Sequence, residues 1–335
     1  MRMMRWGMIG CGDVTEVKSG PGFYKARNSS LVAVMRRNAK LAVDYAERHR
    51  VPRWHDDADA IFKATDIDIV YVATLTDSHR DYTLRLAAAG KPVYVEKPMA
   101  MTHAECLEMI AACKRHGVKL FVAYYRRAMP YFHKVRELVA EIAPVRMVAT
   151  THRARPPAES AFADGALPWR VNPSLSGGGF FFEQVCHTVD ILDWLFGPMV
   201  EVHGIATNRA GLYRPEDTVS AALRFQSGVL GSGSWCYAAE DEIEESEIVG
   251  AKGRLVFSTF SFKPIRLIRA GAATEFSIPL LDHVQQPLIQ TIVDELNGIG
   301  TCPSTGESGA RTAWVMEQIL ASFAGSADGR RDAAG

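Results

Sequence analysis

Hydrophobic and polar positions divide the chain into two regimes. In the first, short apolar runs alternate with longer amphipathic stretches. Arg5 to Ile9, Leu31 to Met35, Ile67 to Ala73, Pro92 to Val95 and Lys119 to Ala123 have strand length, and each predicts a buried strand. Between them, Ala39 to Arg50, Asp57 to Ala64, the stretch ending at Ala89 and His103 to His116 predict helices. Asp77 or Ser78 can cap the third of these, and Gly90 and Gly117 end the last two. Strict alternation of strand and helix implies a parallel sheet with right-handed crossovers.

After Ala123 the pattern changes. A helix from about Met129 to Val139 and a strand from Val145 to Arg153 precede an irregular segment, Ala154 to Ser176, rich in Pro, Ala and Gly. Gly177-Gly178-Gly179 then opens a helix from Phe180 to Phe196 with two stripes at helical spacing. One is apolar: Phe182, Val185, Val189, Leu192 and Phe196. The other holds Glu183, His187, Asp190 and Trp194. Strands follow at 200–208, 217–225, 228–236, 243–249, 254–257 and 265–268, joined by tight turns, and two helices close the chain at 286–298 and 307–323.

The fold class is therefore α/β. A doubly wound parallel sheet of the Rossmann type occupies residues 1–123, and an α+β domain with a large, mostly antiparallel open sheet occupies 124–325. Residues 326–335 read as a disordered tail. An open sheet has one face on helices and one free, which invites self-association through the free face.

Composition narrows the function. The chain has 335 residues and a formal net charge of zero, with no basic block, which argues against a nucleic-acid partner. No apolar run is long enough to cross a bilayer, and the first strand begins too early for a secretory segment. The six cysteines are scattered, without metal-ligand spacing. Reduced thiols in a cytoplasm and no structural metal are expected.

The first strand runs into Gly10-Cys11-Gly12-Asp13-Val14-Thr15. Glycines between strand and helix permit a tight turn and close approach of a pyrophosphate. Thr15 stands where the third fingerprint position is usually Gly or Ala, which implies looser helix–sheet contact. The second strand ends in Arg36-Arg37, where an NAD-binding chain would carry an acid. Guanidinium groups suit a 2′-phosphate, so NADP(H) is expected, with NAD(H) as the alternative. The strand at Pro92 to Val95 ends in Glu96-Lys97-Pro98. Ligands of open α/β sheets bind outside the carboxyl ends of the strands, so Lys97 stands where it can hold an oxygen or exchange a proton. His79 follows another strand end, where it can serve packing or a nicotinamide ribose. Further on, Trp169 can stack on a ring or anchor its loop, and Arg170 can hold a hydroxyl or phosphate. Glu183 and His187, one turn apart on one face, suit proton transfer by an imidazole steadied by a carboxylate.

The motifs together resemble the Gfo/Idh/MocA oxidoreductases, which include glucose–fructose oxidoreductase and inositol dehydrogenase. The resemblance covers nearly the whole chain and rests on the glycine loop, Glu96-Lys97-Pro98, Trp169-Arg170, the glycine triplet with its helix, and Ser304-Thr305-Gly306-Glu307. It implies hydride transfer between a nicotinamide coenzyme and a sugar, polyol or related carbonyl, in a homo-oligomer (a dimer or tetramer). By motif position Lys97 resembles the family's catalytic lysine, which bridges substrate and nicotinamide ribose, and His187 resembles its catalytic histidine. The family's aspartate before the histidine falls on Glu183, one methylene longer, and its asparagine before the arginine pair falls on Tyr125. Thr74, Leu75, His79, Glu96, Arg126, Trp169 and Arg170 fall where relatives touch coenzyme or substrate. Two other activities stay open at this level: bond cleavage or epimerisation with no net redox, and a regulatory protein that senses the coenzyme without turnover.

Overall fold

The computed structural model describes residues 1–158 and 168–324. The middle of the irregular loop and the tail expected at 326–335 lie outside the described residues. The chain forms two compact units, one of Met1–Met129 with Leu281–Ala310, the other of Pro130–Leu280 with the residues from Arg311 on.

The first unit opens with β1 (Met4–Ile9), α1 (Asp13–Val17), α2 (Gly20–Lys25), β2 (Ser29–Met35), α3 (Ala39–His49), β3 (Arg53–His55) and α4 (Asp59–Lys63). It continues with β4 (Ile69–Val72), α5 (His79–Ala88), β5 (Val93–Val95), α6 (His103–Arg115) and β6 (Leu120–Val122). The strands form a six-stranded sheet in the order β3-β2-β1-β4-β5-β6, and every pairing is parallel. This is the doubly wound order that the alternation predicts. Strands β4, β5 and β6 are buried throughout, as a sheet covered on both faces requires. Gly20, which opens α2, is packed against Thr15. A Cβ there would lie 2.0 Å from the Thr15 carbonyl oxygen. Ser78 does not cap α5 with its side chain; its hydroxyl turns back 2.8 Å to Thr74 Oγ1 and 2.9 Å to the Leu75 carbonyl.

The second unit contains α7 (Pro130–Ile142), β7 (Val145–Arg153), α8 (Pro173–Ser176), α9 (Phe180–Phe196), β8 (Met199–Thr207), β9 (Thr218–Phe225) and β10 (Leu230–Cys236). After these come β11 (Ile243–Gly250), β12 (Gly253–Phe257), β13 (Ile265–Arg269) and β14 (Ala272–Phe276). Eight strands pair in the order β14-β13-β12-β11-β7-β10-β9-β8. All neighbours are antiparallel except β7 and β10. Alternation along β9 separates buried Val219, Leu223 and Phe225 from exposed Ser220, Ala222 and Arg224. Helix α9 covers the inner face, where Phe181 meets Trp235 edge-on at 5.2 Å and Phe196 meets Phe225 at 5.3 Å. Both of its stripes are buried apart from Glu183 and Trp194, so it is a core helix.

The chain then returns to the first unit through α10 (Gln286–Leu296), and α11 (Gly306–Ala324) closes it. Ser304 Oγ donates to the Val122 carbonyl at 2.7 Å, and Thr305 bridges Phe121 at the β6 edge. A linear division at residue 123 puts this returning segment with the second domain. Its apolar face announces that α10 is buried, but not on which unit.

Candidate functional site

In the first unit, the candidate residues sit where β1, β2, β4 and β5 end at their carboxyl termini. Gly10 has φ +91°, and a Cβ there would stand 2.8 Å from the Ala73 carbonyl and the Thr74 nitrogen. Only glycine takes this conformation beside that backbone without strain. A Cβ on Gly12 would meet nothing within 4 Å, so the loop is open on that side. These features fit a dinucleotide: the tight turn is obligatory, and the approach to the main chain is free. Thr15 is fully buried, its hydroxyl donating to the Gly12 carbonyl at 2.7 Å. Tyr45 Oη donates to the Thr15 carbonyl at 3.0 Å. The departure from the usual small third residue is thus absorbed by an internal hydrogen bond and by Gly20.

Cys11 contributes main chain. Burial pushes its thiol up to about 11, against the opposing pull of Arg36, so it is no thiolate nucleophile. Arg36 Nη1 donates to the Cys11 carbonyl at 3.0 Å, which holds one guanidinium against the glycine loop, while Arg37 is exposed. Asp13 is also exposed, and Val14 is half-buried.

Beyond β4, Thr74 is half-buried and Leu75 exposed. His79 is buried with its two ring nitrogens 3.0 Å from the Pro98 carbonyl and 3.1 Å from the Thr74 carbonyl. A neutral ring carries one N–H and donates to one of these carbonyls at a time, and either bond ties the ring to the loop after β4 or to the residue following Lys97. Burial holds its pKa below the ordinary imidazole value.

At the end of β5, Glu96 is buried and Lys97 half-buried. The Glu96 carboxylate accepts from Tyr71 Oη at 2.6 Å, from Gln285 Nε2 at 2.7 Å and from the Lys97 main-chain N–H at 3.0 Å. The tyrosine and the glutamine are absent from the sequence motif. They replace the water that a buried carboxylate would lose. Tyr125 and Arg126 are both buried in the turn after β6, with the guanidinium 5.0 Å from the phenol ring.

In the second unit, the Arg170 guanidinium lies over the Trp169 ring at 4.5 Å, and its Nε is 3.7 Å from Glu183 Oε2. The Trp-Arg pair and the helix carboxylate therefore form one cluster. Gly179 supplies the first bend of α9, because a Cβ there would lie 2.7 Å from the Pro215 side chain. His187, one turn beyond Glu183, is buried, and Phe260 stands 6.1 Å from its ring.

A further set of residues escaped the sequence reading. From Phe260 the aromatic wall continues to His152 at 5.4 Å, then to Tyr237 at 5.3 Å, Phe180 at 6.0 Å and Tyr213 at 5.7 Å. His152 Nδ1, Tyr237 Oη, Tyr213 Oη and Glu216 Oε1 are buried without a hydrogen-bond partner among the described residues. Buried polar atoms are nearly always paired, so these four are candidates for pairing with a bound polar group. Burial lowers the pKa of His152, opposed by Glu244 and Glu242, and leaves a neutral imidazole. Burial raises the Tyr237 phenol well above its ordinary value. Glu216 is pushed up to about 7 by burial, against main-chain N–H groups that pull it down and with Asp217 adding to the rise. Inward alternation on β7 and just past β10 was the only signal for His152 and Tyr237, and it marks every core residue of a strand equally. Among the described residues no group of His, Cys, Asp or Glu is arranged to hold a metal, and no helix is long and apolar enough to cross a membrane.

Comparison with known proteins assigns both units. Residues 4–124 match the oxidoreductase family with an NAD-binding Rossmann fold, and residues 132–256 match the GFO/IDH/MocA C-terminal domain. An oxidoreductase of Formosa agariphila is 34% identical over 94% of this chain and 97% of its own. A 1,5-anhydro-D-fructose reductase of Ensifer adhaerens is 26% identical over 98% of each chain. The crystal structure of an aldose-aldose oxidoreductase from Caulobacter crescentus, complexed with glycerol, superposes with a TM-score of 0.84. It is 26% identical and covers 99% of this chain and 98% of its own.

Proposed function

Because this chain belongs to the GFO/IDH/MocA oxidoreductases and is an NAD(P)-dependent oxidoreductase, we propose that it transfers hydride between NADP(H) and a sugar-like carbonyl or alcohol, with Lys97 and His187 serving the same reaction. The observation that carries the substrate class is the wall beside His187. Aromatic rings and unpartnered buried polar atoms alternate there. Sugars present the same alternation of apolar C–H faces and hydroxyls. The names of the Ensifer and Caulobacter relatives point the same way.

The open loop Gly10–Val14, Arg36, Arg37, Thr74 and Leu75 would hold the coenzyme. Bound there, the coenzyme supplies or accepts the hydride. Lys97 holds the substrate oxygen and stabilises its developing negative charge in the reducing direction, or takes its proton in the other. His187 is the second group for that proton. Glu183 steadies His187 from one turn away, and Arg170 fixes the Glu183 carboxylate. Mixing the protein with NADP(H) or NAD(H) and a panel of aldoses, anhydro-sugars and polyols tests this reading through nicotinamide absorbance. Turnover with at least one sugar-like compound is expected. Tight coenzyme binding without turnover across the panel would instead indicate a sensor, and product isomerisation with unchanged absorbance would indicate no net redox.

For the coenzyme, we propose a preference for NADP(H) set by Arg36 and Arg37. Arg36 already braces the glycine loop, so Arg37→Ala is the cleaner probe. It should weaken NADPH binding about 10-fold and leave NADH within about two-fold, as loss of one charge-assisted phosphate contact would. Fluorescence titration checks this, and a wild-type protein that binds NADH more tightly than NADPH would end the claim.

We propose, too, that the free face of the eight-stranded sheet joins two copies of the chain. Across β7, β10 and β9 it presents Met147, Leu230 and Arg224 in one row, then Ala149, Ser232 and Ala222, then Thr151, Ser234 and Ser220. Leu230 is 57% exposed and Met147 44%. Short side chains with isolated apolar anchors suit a flat self-complementary contact. Leu230→Glu should convert the oligomer to monomer in light scattering. A wild-type monomer, or an unchanged oligomer in the variant, would refute it.

A further inference from the structure

Gln285 lies in the stretch where the chain has just returned to the first unit, in the N-cap position of α10. Asn, Asp and Ser are favoured there because their side chains reach the free N–H groups of the first turn. Gln285 makes no such bond. Its side chain is fully buried and turned away from its own helix. The Oε1 accepts from Tyr94 Oη at 2.6 Å, and the Nε2 donates to Glu96 Oε1 at 2.7 Å. Each end of the amide therefore has one fitting partner, and the orientation of the group is fixed by its neighbours. The main chain is held as well, by donation from Gln285 N to the Lys18 carbonyl at 3.1 Å.

Glu96 is the residue through which this arrangement reaches the strand end. Its Oε1 receives Gln285 and Tyr71, and its Oε2 receives the main-chain N–H of Lys97. Tyr71 and Tyr94 stack at 4.9 Å, and burial, aided by the Glu96 charge, holds both phenols protonated, so both stay donors. The carboxylate thus has one allowed pose, and that pose fixes the backbone from which Lys97 projects. We propose that Gln285 is a positioning residue for Lys97, acting through the Glu96 carboxylate. The segment that returns from the second sheet thereby sets the placement of the amine. The inference rests on the reading of Lys97 as the group that meets the substrate oxygen. Loss of the amide would leave Glu96 Oε1 with Tyr71 alone and Tyr94 Oη without an acceptor, and the Lys97 backbone would lose its fixed partner.

Two variants separate positioning from bulk stability. Gln285→Leu keeps the volume and removes both hydrogen bonds. Gln285→Glu keeps the shape. Its new carboxyl, when protonated, can still donate to Glu96 and accept from Tyr94; when ionised it repels Glu96. In Gln285→Leu, kcat should fall between about 10- and 100-fold, with KM and NADPH affinity within about two-fold of wild type, as expected of a misplaced reacting group. In Gln285→Glu, activity relative to wild type should recover as pH falls toward about 5 and decline toward the leucine variant near about pH 8, following the carboxyl's titration. A readout free of turnover accompanies these: the rate at which acetic anhydride labels Lys97 in the coenzyme-free protein, measured by mass spectrometry against other lysines. That rate should change in Gln285→Leu and return in Gln285→Glu at low pH. Wild-type kcat in Gln285→Leu would overturn the inference. So would a loss of activity in both variants without pH recovery and with unchanged Lys97 labelling. If Gln285→Leu does not fold, the pH dependence of Gln285→Glu decides alone. Full turnover in Lys97→Met would remove the parent reading, whereas an inactive Lys97→Met beside a wild-type-like Gln285→Leu would remove this inference only.

Discussion

Lys97→Met is expected to give a folded, coenzyme-binding protein whose turnover is slower by on the order of 10²–10⁴-fold, the usual contribution of a positioned proton-transfer group. The reason lies in what the substitution leaves alone. Glu96 accepts from the main-chain N–H at this position, which methionine also carries, so the carboxylate keeps these three donors. Strand β5 ends one residue before Glu96, and its three residues are buried whatever follows. Methionine is unbranched and of similar length, so the half-buried stem keeps its packing. Only the ammonium goes. Coenzyme affinity should stay within about three-fold, because a lost interaction of the transition state alone lowers kcat and kcat/KM together. Steady-state kinetics with fluorescence titration checks both halves. Turnover retained within about 10-fold would take Lys97 out of the chemistry.

The second large effect concerns stability. Glu216 is 3% exposed and sits by the N-terminal bend of α9. Burial raises its pKa from 4.5 to about 7. The folded state therefore binds this proton more tightly than the unfolded chain does. For a carboxyl with a raised folded pKa, its stabilising balance is complete below the unfolded pKa and is lost as pH rises toward the folded one. Between about pH 4.5 and about pH 7 the group should remove about 3 kcal/mol of stability, and above that no more. Glu216→Gln abolishes the titration. In urea unfolding, the wild type should lose about 3 kcal/mol more than the variant between about pH 5 and about pH 8. The same pH slope in both proteins would show that Glu216 ionises freely. Taking the difference removes the contributions of other titrating groups, among them His152 and His133, whose pKa values burial lowers.

The sequence made the first sheet legible because its central strands are short, mostly apolar runs, and periodicity sees such runs directly. It missed β3 and β14. Both are edge strands: β3 is half-exposed around Trp54, and β14 is exposed along most of its length, so neither carries an inward face to mark it. The parallel pairing of β7 and β10 was invisible as well, since alternation fixes which face a residue takes but not the direction of its neighbour. At the candidate site, local motifs announced themselves: Gly10 and Gly12 through their backbone demands, Lys97 through the strand end, Glu183 and His187 through helical spacing. What stayed hidden was everything contributed from afar. Gln285 reaches Glu96 across 189 positions of sequence, and His152 and Tyr237 look like any inward-facing strand residue until the fold brings their polar atoms to one wall. Thr15 was the opposite case. It departs from the fingerprint, yet Gly20 and Tyr45 accommodate it by contacts that spacing does not encode.

The central claim is that this chain moves a hydride to or from a sugar-like carbon with Lys97 serving the oxygen. The most direct measurement follows deuterium from reduced coenzyme, labelled at its transferable position, into the product of an accepted carbonyl. The label should appear on the new carbinol carbon with the wild-type protein and should fail to accumulate at a comparable rate with Lys97→Met. Unlabelled product from the wild type, or wild-type labelling by Lys97→Met, would contradict the account.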